Sequence, residues 1–328
     1  MRLIIQIPCL NEEATLTQTL ADLPRELPGC SSVEWLVVDD GSTDRTVEVA
    51  RAGGVDHVVS HTRNLGLARA FMTGIERALA LGADVIVNTD ADNQYRGADV
   101  ALLVAPIVQG RADMVVGTRP ITQIAHFSWS KKLLQRVGSW VVRVVSRTSV
   151  QDAPSGFRAF SRAAARQLMV FGDYTYTLET LIQAGQKNLA VVGVPVRVNP
   201  DTRPSRLMRS SWQYIRRSAT TIIRIFVIYR PFRFFMAIGA ALFLAGFVVG
   251  LRFLWLFLEG AGQGNVQSLI LAAILMIMGF QAVLVAFLAD LIAANRRMLE
   301  SLRVDVRQMA ETRATRSSAG ATAPDPPS

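Results

Sequence analysis

Cysteine is nearly absent from this chain. Its 328 residues hold two, Cys9 and Cys30, and neither sits in a C-x-x-C pair. That excludes a disulfide framework and any readable zinc site, and it fits a reducing compartment. No secretory leader is legible: the first apolar run, residues 3–7, is broken by Pro8 and then by Asn11, Glu12 and Glu13. The N-terminal part is therefore expected to stay on the cytoplasmic side. Acidic residues are scarce in residues 197–233, where Asp201 is the lone acid among Arg197, Arg203, Arg206, Arg209, Arg216, Arg217, Arg224, Arg230 and Arg233. Basic residues are missing from residues 259–267.

What is present is cationic and apolar. The formal net charge is +9 and half of the residues are hydrophobic, giving a mean hydropathy of +0.28. Such a balance implies an anionic partner, nucleic acid or a membrane surface. The apolar surplus lies after Phe232, in two runs at residues 234–258 and 266–289. Each meets the roughly 20 residues that a transmembrane helix needs. Arginines flank the pair on its outer sides and none stands in its connection, so the positive-inside rule predicts a hairpin with both chain ends cytoplasmic. Arg252 interrupts the first run and is expected to snorkel or to face a neighbouring helix. The arginine-rich segment leads directly into this hairpin. It reads as a basic amphipathic helix drawn to anionic headgroups, which argues against nucleic acid. Residues 127–147 form a further amphipathic pattern, with Leu133, Val137 and Val144 on one face and Lys132, Arg136 and Arg143 on another. A surface helix packed on a sheet and a membrane-interfacial helix both account for it. Residues 312–328, rich in Ala, Ser, Thr and Pro, are expected to be disordered.

The first part alternates strand and helix signals. Strands are predicted at residues 3–7, 34–38, 57–60, 85–88 and 114–117, and helices at 12–23, 43–52, 66–81 and 97–109. That succession implies parallel βαβ units in a doubly wound sheet. Ligands bind such sheets beyond the carboxyl ends of the strands. Three acid-rich segments fall there: I-P-C-L-N-E-E (7–13), V-V-D-D-G-S-T-D (37–44) and N-T-D-A-D-N-Q (88–94). Singly each is an ordinary turn or cap. Together they converge on one sheet edge, where the carboxylates repel unless a cation or ligand compensates. Asp90 and Asp92, with the Gln94 amide oxygen, suit Mg²⁺ or Mn²⁺ held against a diphosphate. Asp40 is available to accept hydrogen bonds from a base or ribose.

In this order, with R-N-L-G (63–66), G-T-R (117–119) and D-A-P-S-G-F-R (152–158), the motifs resemble the family 2 glycosyltransferases of GT-A fold, and more narrowly the polyisoprenyl-phosphate glycosyltransferases. The resemblance implies an α/β, Rossmann-like catalytic domain over residues 1–200, a basic juxtamembrane segment over 201–233, a transmembrane hairpin over 234–294 and a cytoplasmic tail over 295–328. It implies a UDP- or GDP-linked nucleotide sugar held by Pro8, Leu10, Glu12, Val38, Asp40, Asp90, Ala91, Asp92 and Gln94, with the metal on Asp90, Asp92 and Gln94. Arg119 and Asp152 match catalytic positions. Arg119, Lys132, Arg136, Arg203 and Arg206 are candidates for the acceptor phosphate. Asn93 and Tyr95 depart from the Gly and His frequent in the family, and Leu10 replaces an aromatic of the mannose-transferring members. Activity is expected on a polyprenyl phosphate at the cytoplasmic face of the cell membrane, on anionic lipid, with no nucleic acid and with self-association into homo-oligomers a further expectation. A processive polysaccharide synthase and a catalytically silent membrane scaffold are the competing readings. Against the first, Gln213-Tyr214-Ile215-Arg216-Arg217 lacks the Trp of a Q-x-x-R-W motif. Against the second, Asp90, Asp92 and Asp152 are intact.

Overall fold

A computed structural model of the chain describes residues 1–119, 152–170, 176–199, 227–259 and 266–320, with isolated positions between 143 and 150 and between 220 and 224. The chain divides into two compact units, one of Met1–Ile215 with Val304–Ser328 and one of Arg216–Arg303.

In the first unit the described strands are β1 (Arg2–Cys9), β2 (Ser32–Asp39), β3 (His57–Ser60), β4 (Val85–Asn88), β5 (Met114–Thr118), β6 (Arg158–Ser161) and β7 (Val191–Pro195). They form one seven-stranded sheet in the order β3-β2-β1-β4-β6-β5-β7. The helices are α1 (Leu16–Asp22), α2 (Thr46–Ala52), α3 (Leu67–Ala80), α4 (Val100–Val108), α5 (Arg162–Gln167) and α6 (Tyr176–Gln186). β1 is central and buried on both faces, which is why it reads as an unbroken apolar run. Leu3, Ile5 and Ile7 share one core with Leu16 and Leu20 of α1 and Leu103 and Val104 of α4. Ile4 faces the other core, with Phe71 and Ile75 of α3 and Leu181 of α6. Each such side chain contributes roughly 1.5–3 kcal/mol on burial.

The five predicted strands are present, but the sheet is not all parallel. β6 runs antiparallel to both β4 and β5. Its four residues offer too short a pattern to read as a strand. The inversion has a consequence for the site. The segment entering β6, residues 152–157, lies at the same sheet edge as the carboxyl ends of β4 and β5. β7 also went unpredicted, and it pairs in parallel with β5 at the sheet margin. Its terminal Pro195 is tolerated at an edge, where no ladder donor is needed.

The second unit holds a long helix, α7 (Pro231–Leu258), and the greater part of another, α8 (Val266–Gly320), whose residues from Val304 on fall in the first unit. The most apolar 18-residue stretch within Pro231–Leu258 has a mean hydropathy of 2.4, and that within the Val266–Arg296 part of α8 one of 2.6. Both are long and apolar enough to cross a membrane. Small residues bring the two backbones together, as membrane helix pairs require. A Cβ on Gly239 would lie 2.9 Å from the Gly279 carbonyl, and one on Gly279 would lie 2.6 Å from the Phe243 nitrogen. Arg252 is exposed on the last turns of α7, within snorkelling reach of its end. The helix continues to Gly320, so residues 312–320 depart from the expected disorder. Ala, Glu, Met and Arg are good helix formers, and they extend a helix already nucleated by the apolar span. Residues 321–328 lie outside the described residues.

Candidate active site

The carboxyl ends of β2, β1 and β4 stand side by side, because β1 pairs in parallel with both neighbours. The three acid-rich segments therefore leave the sheet along one edge. β5 ends there at Thr118, directly before Arg119.

The loop after β4 is held from below. Asn88 is fully buried; its amide nitrogen donates to the Gly156 carbonyl (2.9 Å) and to the Tyr176 hydroxyl (3.0 Å). Its carbonyl accepts from Gln6 Nε2 at 2.8 Å. The Ala91 carbonyl accepts from Thr19 Oγ1 of α1 at 2.9 Å. Asp92 Oδ1 accepts from the Gln94 backbone nitrogen at 3.1 Å, closing a tight turn. Asn93 at its apex has φ of 55°. Asn is the residue that best replaces Gly in that left-handed region, so the turn keeps its shape despite the departure from the family pattern.

Asp90 is surrounded by protein while keeping a partial opening to solvent. Burial, and then the charge of Asp92, push its pKa up to about 7, against the opposing pull of Arg119 and Arg158. A buried carboxylate raised by a neighbouring one is part of a donor set that a divalent cation relieves. Among the described residues no group of three or more His, Cys, Asp or Glu is placed to hold a metal. A two-carboxylate site is nevertheless what Mg²⁺ and Mn²⁺ accept when phosphate oxygens and water complete the shell. The residues present fit such an ion.

Gly156 sits against Asp90. A Cβ there would stand 2.6 Å from Asp90 Oδ2 and 2.9 Å from the Tyr176 hydroxyl. The Gly156 nitrogen donates to the Tyr95 hydroxyl at 3.2 Å, and the Tyr95 ring stacks on Phe157 with centroids 5.0 Å apart. Tyr95, the second departure from the family pattern, thus pins the loop before β6 to the loop after β4.

Arg119 and Asp152 form a two-pronged ion pair. Arg119 Nε donates to Asp152 Oδ2 at 2.7 Å and Arg119 Nη2 to Oδ1 at 3.0 Å. The Arg119 backbone nitrogen adds a third bond to Oδ2 at 3.2 Å. The Asp152 side chain is 1% exposed and that of Arg119 29%. The carboxylate is consumed in fixing the guanidinium, and the guanidinium keeps an open side. The hydrogen bond to Asp152 raises the Arg119 pKa, so its charge is permanent.

Arg158 was not among the expected site residues, and it is the largest fully buried side chain described. Its guanidinium donates to the carbonyls of Ser155 (2.7 Å), Thr177 (2.5 Å) and Ala153 (2.5 Å) and to Thr180 Oγ1 (2.8 Å). Burial lowers its pKa to about 10. The signal for it was an arginine closing the D-A-P-S-G-F-R motif directly before an apolar pair, where a surface charge is out of pattern.

The expected nucleoside residues are distributed differently. Val38 is fully buried in the core under α3. Pro8 is buried beside it in the β1–β2 register. Asp40 is buried; its Oδ1 lies 2.7 Å from His61 Nδ1 and accepts from the Leu65 nitrogen at 2.9 Å, and its Oδ2 accepts from the Gly66 nitrogen at 2.8 Å. Its carboxylate shapes the R-N-L-G turn. Glu12 and Leu10 are half-buried at the edge, and Glu12 Oε2 accepts from Thr15 Oγ1 at 2.9 Å. Gln94 is half-buried, with its backbone carbonyl accepting from the Asn199 nitrogen at 2.9 Å. Lys132, Arg136, Arg203 and Arg206 lie outside the described residues, as do most of the 127–147 pattern and the Gln213 segment.

Comparison with known proteins bears on this arrangement. The profile described as "Glycosyl transferase family 2" matches residues 4–169, half of the chain. A UDP-N-acetylglucosamine–dolichyl-phosphate N-acetylglucosaminyltransferase of Methanococcus voltae is 28% identical over 214 residues, covering 58% of this chain and 83% of that protein. A polyprenol monophosphomannose synthase of Mycolicibacterium smegmatis is 26% identical over 206 residues, 60% of this chain and 76% of its own. Among solved structures, glucosyl-3-phosphoglycerate synthase from Mycobacterium tuberculosis, in complex with Mn²⁺, UDP and its product, superposes with a TM-score of 0.51 at 21% identity, covering 69% of this chain and 78% of that one. At that identity the likeness is one of fold.

Proposed function

The chain belongs to glycosyl transferase family 2, and we propose that it moves a sugar from a nucleotide sugar to a polyprenyl phosphate, with inversion, at the cytoplasmic face of a membrane. That it is a glycosyltransferase acting on nucleotide sugars follows from the family and from its relatives. The lipid acceptor is supported by what two relatives are named for and by the two apolar spans in the same chain. The cytoplasmic side is supported by the arginines that flank the spans.

The observation that carries the reading is the Asp90–Asp92 loop together with an arginine locked by Asp152. Asp90 and Asp92 would hold a divalent cation, with the Gln94 amide as a further donor, and the ion would neutralise charge building on the leaving diphosphate. Arg119 offers its open side to an anionic phosphate, a use to which a fixed guanidinium is suited. In the transfer, an acceptor phosphate oxygen bonds to the anomeric carbon as the bond from that carbon to the diphosphate breaks. A phosphate is already anionic near neutral pH, so the attack needs no proton removed. Asp152, with both oxygens engaged by Arg119, then serves as a positioning residue. Rate comes from placement and charge complementarity.

Full-length protein in anionic-lipid nanodiscs, supplied with polyprenyl phosphate and in turn with UDP-glucose, UDP-GlcNAc, UDP-galactose or GDP-mannose, tests this. One donor should yield a lipid-linked monosaccharide. EDTA should suppress turnover on the order of 10²-fold or more, with recovery on adding Mg²⁺ or Mn²⁺. A polymeric product, or no turnover with any donor, overturns the proposal.

Gly156→Ala gives a second check. The new methyl displaces the Asp90 carboxylate or the Tyr176 hydroxyl, and an error of about 1 Å in a reacting group costs on the order of 10²-fold in rate. Turnover should fall by about that factor with the circular dichroism spectrum unchanged. Wild-type kinetics would show that Asp90 does not need its present position.

A further inference from the structure

We propose that the end of α8 is a parallel coiled-coil seam that docks a second copy of this chain. Val285, Leu288, Ile292, Asn295, Leu299 and Leu302 recur at alternating steps of three and four. That is the a/d pattern of a heptad repeat, and in sequence it continues at Val306 and Met309. The five apolar members within residues 285–302 are each at least 42% exposed. Leu291 and Met298, on the shoulder of the same stripe, are 64% and 65% exposed.

The stripe does not face α7. Ala272, Ala286 and Ala293 are the buried alanines of α8, and Ala286 and Ala293 occupy heptad position b, well round the helix from a and d. Arg296 turns toward the Tyr229 ring, 5.0 Å from its centroid, which leaves the seam apolar.

Lipid does not account for its whole length. At 1.5 Å per residue Leu299 lies about 50 Å along α8 from Val266, beyond the 40–45 Å that a bilayer with its headgroups occupies. Leu299 and Leu302 therefore emerge into water carrying an apolar stripe, and helices in water are held by packing such a face.

The occupant is identified by the repeat itself. Copies inserted by the same positive-inside signal run parallel, and each seam meets its own duplicate in register. β-Branched Val285 and Ile292 at a, with Leu288 and Leu302 at d, favour two strands. Asn295 is the one polar residue in the described seam and occupies a d position.

The inference rests on the hairpin spanning a bilayer, and membrane retention is therefore read in the same preparation. In full-length protein with Cys30→Ser, Leu302→Cys should give on the order of tenfold more disulfide-linked dimer under a mild added oxidant than Asp290→Cys, because a d position brings two Cβ atoms within disulfide reach and an f position holds them apart. The unmodified chain should have the mass of a dimer in nanodiscs, and Leu299→Glu combined with Leu302→Glu should halve it with transfer activity retained. A monomeric mass for the unmodified chain, equal cross-linking at both positions, or Leu302→Cys shielded from thiol reagents in a monomer through docking within its own chain would each overturn the seam. Release of the protein by alkaline carbonate would count against the membrane hairpin and, with it, against the parallel seam that rests on it, whereas retention without cross-linking would overturn the seam alone.

Discussion

Asp92→Ala is expected to lower sugar transfer by at least about 10³-fold, the scale of removing a principal stabiliser of developing charge, while the protein still inserts and folds. The asymmetry follows from what each carboxylate does. Asp90 lies deep, against Gly156 and below the pull of Arg119 and Arg158. Asp92 Oδ1 accepts from the Gln94 nitrogen within its own turn. Losing that turn bond costs about 1 kcal/mol. Losing the charge leaves one carboxylate, which burial already pushes toward the protonated form with a pKa of about 7. A single carboxylate near neutrality binds Mg²⁺ or Mn²⁺ poorly. Removing Asp92 also removes the second-largest cause of that rise, so the remaining Asp90 should ionise more readily, and this partial compensation is too small to restore a two-ligand site. The measurement is kcat/KM for the preferred donor across a titration of divalent ion. Activity above about a tenth of wild type, a loss smaller than 1.4 kcal/mol in the barrier, would remove Asp92 from the metal role.

The sequence made the edge of the sheet legible and left its floor dark. β1, β2 and β4 announce themselves as apolar runs ending in acids, because strands buried on both faces need continuous hydrophobicity. Their parallel pairing then brings the acids to one edge with no further information. The orientation of β6 was not legible: four residues carry no period, and the antiparallel pairing is decided by the space between β4 and β5. The same limit hid the partners of Asp152. D-A-P-S-G-F-R marked it as a candidate, but its bidentate hold on Arg119 joins residues far apart in the chain. Asp40 illustrates a related limit. An acid at a strand end suits a ligand, and its bonds to His61 and to the backbone of the following turn had no signal in the sequence. A pattern of residue types does not distinguish a group aimed at a ligand from one aimed at its own loop.

Arg158→Met is expected to destabilise the catalytic unit by about 3–5 kcal/mol, the range for breaking a buried charged network by removing one partner. Two opposing effects decide the sign. Methionine relieves the cost of holding a cation away from water, a cost visible in the pKa drawn down to about 10. It also leaves the carbonyls of Ala153, Ser155 and Thr177 without their donor, at roughly 1–3 kcal/mol each when buried. Three orphaned acceptors outweigh one relieved cation. Function should suffer through the same atoms. The carbonyls of Ala153 and Ser155 belong to the loop that carries Asp152 and Gly156, so releasing them loosens both the hold on Arg119 and the wall against Asp90. That predicts a fall in kcat larger than any rise in donor KM, since the loop orients reacting groups more than it binds nucleoside. Arg158→Lys keeps the charge but gathers its donors on one nitrogen in place of a planar fork, and it should fall between methionine and wild type in both measures. Thermal melting in detergent together with steady-state kinetics checks the pair. A methionine variant within about 1 kcal/mol of wild type, the scale of an average substitution, would mean that the buried guanidinium is not what holds the loop.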